Sequence, residues 1–302
     1  MADHPSAQQV VPLKHSQIRI GSFSVRVQCD LPAFWRAFDF FYADNPPEPA
    51  DGFCDFSVRL VTPGFLRRPI HPQITFDLDG VRPFKPLPEH QAFPLFEWGL
   101  NWCIAMHMHR CVLIHAAVVE RNGFGLILPA PPGSGKSTLC AGLTARGWRL
   151  LSDELAMITP DTLELIPFPR PISLKNRSID VMREYAGVDV IGPVFADTHK
   201  GDVAHMKVPS SALADTHVRA RPGWIAFPKY RAGSALRLSP MTRARTVIAL
   251  ADNSFNSDRL GEQAFRTLAS TAAASGCFEF EYSILDEAIA CFDALADMRA
   301  TR

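Results

Sequence analysis

The chain has 302 residues, 47% hydrophobic and 21% charged, a globular composition long enough for one large or two smaller domains. Lys plus Arg and Asp plus Glu both total 31, so bulk charge draws the chain neither to nucleic acid nor to an anionic membrane. Its seven cysteines are scattered and form no C-x-x-C pair, which argues against a disulfide framework or zinc site and implies reduced, mostly buried thiols. No stretch has the apolar length of a membrane-spanning helix, and no basic-then-apolar leader opens the chain, so a cytoplasmic protein is expected.

Residues 18–27 alternate as a strand, and the aromatic-rich stretch 31–42 predicts a short helix broken by Pro46, Pro47 and Pro49. Strands are expected at 53–61 and 74–78, before a turn-rich stretch at Pro83, Pro86 and Pro88. Residues 1–90 therefore read as an accessory, mostly β domain, and 91–302 as a second domain. Residues 93–109 are apolar on most faces and suit a buried helix. Strands at 111–120 and 124–129 follow, turned by Arg121-Asn122-Gly123. After a glycine-rich loop come a helix from about 138 to 146 and a strand at 148–151. Farther on, strands are expected at 223–227, 236–238 and 278–282, and helices at 243–251, 258–274 and 284–298, the last capped by Ser283.

The loop reads Ala130-Pro131-Pro132-Gly133-Ser134-Gly135-Lys136-Ser137-Thr138. Between a strand and a helix, such a P-loop turns successive backbone N–H groups toward one point, where the helix N-terminus adds positive potential. Residues 132–138 are the expected cradle for a nucleoside triphosphate with magnesium. Gly133 and Gly135 allow close approach, Lys136 reaches the β- and γ-phosphates, and Ser137 binds the metal. The strict motif opens on glycine where this chain has Ala130.

A second motif, Leu150-Leu151-Ser152-Asp153-Glu154, is an apolar strand ending in two acids, with Asp153 seventeen residues after Lys136. A strand returning directly after the P-loop helix lands its acidic end beside the phosphates. One acid can then hold magnesium and the other can take a proton from an attacking hydroxyl.

Ile114-His115, the P-loop and Arg146-Gly147-Trp148-Arg149-Leu150-Leu151-Ser152-Asp153-Glu154 together resemble HPr kinase/phosphorylase, over about residues 111–158. Farther on, Pro169-Arg170-Pro171-Ile172-Ser173-Leu174-Lys175-Asn176 and Thr198-His199-Lys200-Gly201-Asp202-Val203-Ala204-His205 resemble the HPr kinase-related proteins called HprK-related kinase A. The resemblance implies an α/β fold, the P-loop kinase core shared with phosphoenolpyruvate carboxykinase, here with a smaller, mostly β N-terminal domain. It implies ATP and Mg2+ as cofactors, Asp153 as the catalytic carboxylate, Glu154 in place of the family's second Asp as a metal contact, and His115 near Asp153. A buried core histidine is the other reading of His115. The family's later Arg-Gly signature and regulatory C-terminal helix have no clear copy, so neither phosphorylase activity nor HPr as a substrate is supported.

Phosphoryl transfer also needs cations for the charge on the γ-oxygens, and Arg170, Lys175, Arg177, Lys200 and Lys207 are candidates. Arg170, fenced by Pro169 and Pro171, is expected to point outward. Lys200 precedes Gly201 in a polar loop. His205 is a substrate or metal contact or, more simply, structural. Three functions stay open. The first is a kinase acting on Ser or Thr of a protein or peptide. The second is a kinase for a small-molecule hydroxyl. The third is a nucleotide-dependent regulatory module without transfer. No nucleic acid or membrane partner is expected, and a homo-oligomer is left open. The N-terminal β domain favours a macromolecular acceptor, since edge strands can dock a peptide.

Overall fold

A computed structural model describes residues 14–49, 51–63, 72–131 and 133–301. They form a mixed α/β structure with three sheets. The first sheet opens with a hairpin, β1 (Lys14–Ile20) and β2 (Phe23–Cys29). The single strand expected at 18–27 is therefore two strands. Gly21, at φ +58°, takes the left-handed turn that pairs Ile20 with Phe23. Helix α1 (Pro32–Tyr42) begins on a proline, where no N–H is needed, and crosses to β3 (Phe56–Val61), which lies parallel to β2. Strands β4 (Gln73–Leu78) and β5 (Leu87–Pro88) complete the order β1-β2-β3-β4-β5.

Helix α2 (Ala92–His107) packs on this sheet and on α1. Phe34, Phe38 and Phe41 of α1 meet Phe93 and Phe96 of α2 in a cluster of tilted, edge-on and stacked rings. The same core runs on through Leu113, Leu155, Met157 and Phe168, so the first sheet and α2 share buried surface with the chain that follows.

Strands β6 (Val112–Arg121) and β7 (Phe124–Pro129) form a tight hairpin. Asn122 and Gly123 sit at φ +57° and +83°, the backbone that a two-residue hairpin turn demands. The chain continues through α3 (Lys136–Ala145), β8 (Arg149–Ser152), β9 (Leu155–Ile158), β10 (Leu165–Ile166), β11 (Ile172–Lys175) and α4 (Arg177–Ala186). Then come β12 (Phe195–Thr198), β13 (Gly201–Met206), α5 (Ser210–Ala214), β14 (Arg221–Tyr230) and β15 (Arg237–Pro240). It closes with α6 (Arg243–Asp252), α7 (Ser257–Leu260), α8 (Glu262–Ala274), β16 (Gly276–Tyr282) and α9 (Leu285–Ala300).

The second sheet has the order β10-β9-β6-β7-β14-β16-β15, with β8 also paired to β6. Strands β7, β14 and β16 are parallel, while β8 and β9 both run antiparallel to β6 and so point the same way as β7. Side chains alternate between its faces. Ala117, Val119, Leu126 and Leu128 pack with α3 and α9, whereas Ile114, Ala116, Val118 and Ile127 pack with α6 and α8. The third sheet, β11-β13-β12, adds Ile172, Leu174, Ala204 and Met206 to the core around α3.

Two expected details differ. The helix at 258–274 is broken by Gly261, at φ +52°, into α7 and α8. Ser283 does not cap α9, because its Oγ donates to the Ser234 carbonyl at 2.7 Å and Ile284 takes the cap position. Among the described residues no helix is long and apolar enough to cross a membrane.

At Gly99, in α2, an added Cβ would lie 2.0 Å from the ring of the fully buried Phe76 of β4. Alanine is favoured over glycine by about 1 kcal/mol inside a helix. Overpacking a filled core costs about 1–3 kcal/mol, and here the neighbour is a ring with no room to retreat. Gly99→Ala should therefore destabilise the protein by about 1–2 kcal/mol in urea unfolding. An increase in stability would show that α2 does not sit on Phe76.

Candidate functional site

The glycine-rich loop leaves the C-terminal end of β7 and enters α3 through Gly135, which is left-handed at φ +86°. Gly133 is also left-handed, at φ +85°, but nothing lies within 4 Å of where its Cβ would be. Conformation alone thus demands glycine at 133, while at 135 space does too. A Cβ there would meet Tyr282 Oη at 2.6 Å and Tyr230 Cβ at 2.8 Å. The Tyr230 N–H donates to the Ser134 carbonyl at 2.8 Å, and Tyr282 Oη donates to the Gly135 carbonyl at 2.9 Å. Helix α3 has no side-chain cap and no acid in its first turn, which leaves N–H groups available to an anion. Ser137 and Thr138 lie in that turn, and Pro132 lies outside the described residues.

The acid pair follows Ser152, the last residue of β8, and precedes β9, so it interrupts one long path along β6. Because β8 runs with β7, the interruption faces the same edge of the sheet as the loop. Asp153 is 4% exposed. Its Oδ2 accepts from Ser137 Oγ at 3.2 Å and from the Ser173 N–H at 3.0 Å. Glu154 Oε2 lies 2.9 Å from His115 Nε2 and 3.9 Å from Lys136 Nζ, and Lys136 Nζ is 3.1 Å from the same His115 nitrogen. One ring nitrogen cannot serve both neighbours at once. With its proton on Nε2, His115 donates to Glu154; with the proton on Nδ1, Nε2 accepts from Lys136.

Neighbouring carboxylates are driven apart in acidity. Burial, and then the Glu154 charge, push the Asp153 carboxyl up to about 6, against the pull of Lys136 and its two hydrogen bonds. Burial also works against ionisation of Glu154, but the His115 contact and the charges of Lys136 and Lys175 outweigh it and hold that carboxyl well below the usual range. Lys200 is lowered by burial and then by the Lys175 charge, while Glu154 pulls it back up. Its ammonium sits 4.8 Å from the Trp98 ring centroid. Lys136 thus lies beside Glu154, and the charges of Lys175 and Lys200 act on the same acid.

Of the residues singled out by sequence, Lys136, Ser137, Asp153, Glu154 and His115 are joined by direct contacts, while Lys175 and Lys200 act on Glu154 through their charge. His115 touches Glu154 and Lys136, and it is Asp153, not Glu154, that touches Ser137. Arg170 does not point outward as expected. It is 5% exposed, and its Nη1 donates to Glu97 Oε2 and the Glu97 carbonyl, both at 3.0 Å, while Nη2 donates to Asn101. Lys207 pairs with Asp44 at 2.8 Å. His205 is 1% exposed, ringed by Phe41, Phe93 and Phe195, and held neutral by burial and the nearby Arg170 charge. Sequence reasoning missed the Ser173 amide and the two tyrosines that steady the loop. Backbone N–H groups leave no mark in a sequence, but Tyr230 and Tyr282 each stand at the C-terminal end of a strand parallel to β7.

Three buried polar atoms here, Ser134 Oγ, Asp153 Oδ1 and Ser173 Oγ, have no hydrogen-bond partner. Such orphans are costly in a packed interior and fit a site completed by a polar ligand. Among the described residues no group of three or more His, Cys, Asp or Glu could cage a metal alone. A hydroxyl and a carboxylate instead suit magnesium, which keeps water and phosphate oxygens in its shell. A cavity of about 540 Å3 lies at the opposite end of α3, beside Arg146, Tyr185 and Lys207, away from this chemistry.

Residues 100–183, from α2 into α4, match the family described as SynChlorMet cassette protein ScmC. No curated protein sequence matches the chain. Among solved structures, the HPr(Ser) kinase/phosphatase from Coxiella burnetii aligns over 63% of this chain and 97% of its own, at 11% identity and a TM-score of 0.29.

Asp153 has a stability signature of its own. Its folded pKa of about 6 exceeds the ordinary 3.8, so between those values the folded state keeps a proton that the unfolded chain releases. This stability is present below pH 3.8 and lost as pH rises through 6. Asp153→Asn should therefore gain on the parent from pH 4 to pH 6 and hold a constant advantage of about 1–3 kcal/mol above it. Equal stability at pH 4 and pH 8 in denaturant titrations would mean that the carboxyl is not strained by burial.

Proposed function

We propose that the chain is an ATP-dependent kinase that transfers the γ-phosphoryl group to a hydroxyl, with Ser or Thr of a protein or peptide as acceptor. The observation that carries this reading is the Asp153 carboxylate, fixed by Ser137 and Ser173 through one oxygen while the other is buried and unpartnered. A carboxyl poised near 6 is mostly ionised at pH 7 and is a stronger base than one at 3.8. Magnesium-ATP, when bound, supplies the phosphoryl group and the metal charge that neutralises its oxygens. Residues 133–138 and the unpaired N–H groups of α3 would hold the phosphates, and Lys136 would leave the Glu154–His115 pair to meet them. Lys175 and Lys200 would steady charge on the acid-pair side. Asp153 Oδ1 would take the acceptor hydroxyl's proton as its oxygen attacks phosphorus. Glu154, kept ionised, suits the metal. The Ser137–Asp153 contact favours a second assignment, in which Asp153 is the metal-side acid and Glu154 with His115 is the base.

Single-turnover transfer from labelled ATP to extract proteins and to free hydroxy amino acids, across a magnesium titration, separates these readings. Lys136→Ala should abolish nucleotide binding while leaving the fold intact. Asp153→Asn should bind nucleotide nearly as well as the parent and transfer about 10²–10⁴ times more slowly. Glu154→Gln should shift the magnesium midpoint as well as the rate; a midpoint shift in Asp153→Asn instead would establish the exchanged roles. Label appearing only on a small molecule would replace the protein acceptor. Binding with no transfer by any variant, the parent included, would leave a regulatory module.

A further inference from the structure

We propose that the ring of the half-exposed Tyr230 is the platform on which the base of the nucleotide stacks, so that the site grips the base by its π-face and discriminates weakly between ATP and GTP. The inference rests on the triphosphate reading above and extends it to the other end of the ligand. The loop after β7 is flanked unequally. On one side lie His115, on β6, and beyond that strand Asp153 and Glu154. On the other is β14, parallel to β7, whose last residue is Tyr230. A triphosphate whose γ-end meets the acids must send its base toward β14. From the β8/β9 path to β14 is three strand spacings, about 14 Å, the scale that separates a terminal phosphate from its base.

Tyr230 is built into the loop while leaving its ring accessible. Its N–H holds the Ser134 carbonyl, and its Cβ lies 2.8 Å from the position that a Cβ on Gly135 would occupy. Its ring is 5.7 Å from that of Tyr282, at 70°, and Tyr282 Oη in turn holds the Gly135 carbonyl. The ring is thus braced from one side, and the residue as a whole is still 46% exposed. A rigid aromatic face tied to the phosphate cradle is what base stacking needs, and every base offers a π-face in return. A rival platform is Phe255, also 46% exposed, but its ring is 5.7 Å from His115 on the acid side, where the γ-phosphate is expected.

Calorimetric titration of magnesium tripolyphosphate, magnesium-ATP and magnesium-GTP into the full chain tests this without any turnover. The parent should bind tripolyphosphate, and should bind ATP and GTP more tightly, within a few-fold of one another. Tyr230→Ala should weaken both nucleotides about ten-fold and leave tripolyphosphate unchanged, while Tyr230→Trp should restore nucleotide affinity. Unchanged nucleotide affinity in Tyr230→Ala overturns the proposal, as does equal weakening of nucleotide and tripolyphosphate, or a selective loss in Phe255→Ala instead. If the parent binds neither tripolyphosphate nor nucleotide, the triphosphate reading itself fails, and the base platform with it.

Discussion

The buried carboxylate of Asp153 ties together, by hydrogen bonds, three elements that also share one apolar core. Its Oδ2 takes a hydroxyl from the first turn of α3 and an amide from β11, while its own backbone breaks the path between β8 and β9. Moving either donor element would leave a nearly inaccessible carboxylate with one hydrogen bond fewer, a loss more costly in the interior than at the surface. The glycine-rich loop is held from the other side by Tyr230 and Tyr282. Loop, helix and acid are therefore located relative to each other by hydrogen bonds whose loss the interior penalises.

The same burial sets the chemistry. Two adjacent carboxylates in one low-dielectric site cannot both be comfortable as anions, and their surroundings decide which gives way. Glu154 faces His115 and lies among the charges of Lys136 and Lys175, so it stays ionised. Asp153, deeper and repelled by Glu154, holds its proton longer. The division follows from what each acid meets at the bend between β8 and β9: Ser137 and the Ser173 amide for Asp153, His115 and Lys136 for Glu154. A carboxyl raised in this way lowers fold stability at neutral pH.

Much of this was legible in the sequence, and the missing parts have specific physical causes. The hairpin at Asn122-Gly123, the loop entering α3 and the acids after β8 are local patterns, in which turn chemistry and hydrophobic period agree. Strands β9 to β13 are two to six residues long, too short for any period to stand out, and β11 and β13 are stabilised by pairing with each other. The turn at Gly21 was hidden because apolar alternation resumes on its far side. Arg170 shows the limit most clearly. Two flanking prolines fix its backbone, but the direction of its side chain is set by Glu97, 73 residues away, a partner that no local pattern announces.

That pairing also explains how the first sheet is tied to the candidate site. Phe168 donates its N–H to the Leu151 carbonyl at 2.7 Å, Arg170 grips Glu97 and Asn101 on α2, and Ser173 donates to Asp153. Residues 168–173 thus form a strap whose near end is bonded to β8, whose middle is bonded to α2 and whose far end is bonded to the acid. Glu97 is itself deeply buried, with its carboxyl raised by burial against the pull of Arg170, and it accepts from Tyr42 Oη of α1 at 2.6 Å. A buried ion pair seldom adds net stability over apolar packing, yet breaking one by removing a single partner costs about 3–5 kcal/mol. Its value here is positional, because a flexible strap would leave the Ser173 amide free to drift from Asp153. The first sheet and its helices therefore act on the acid through this strap, and the geometry of the site depends on a core that lies outside it.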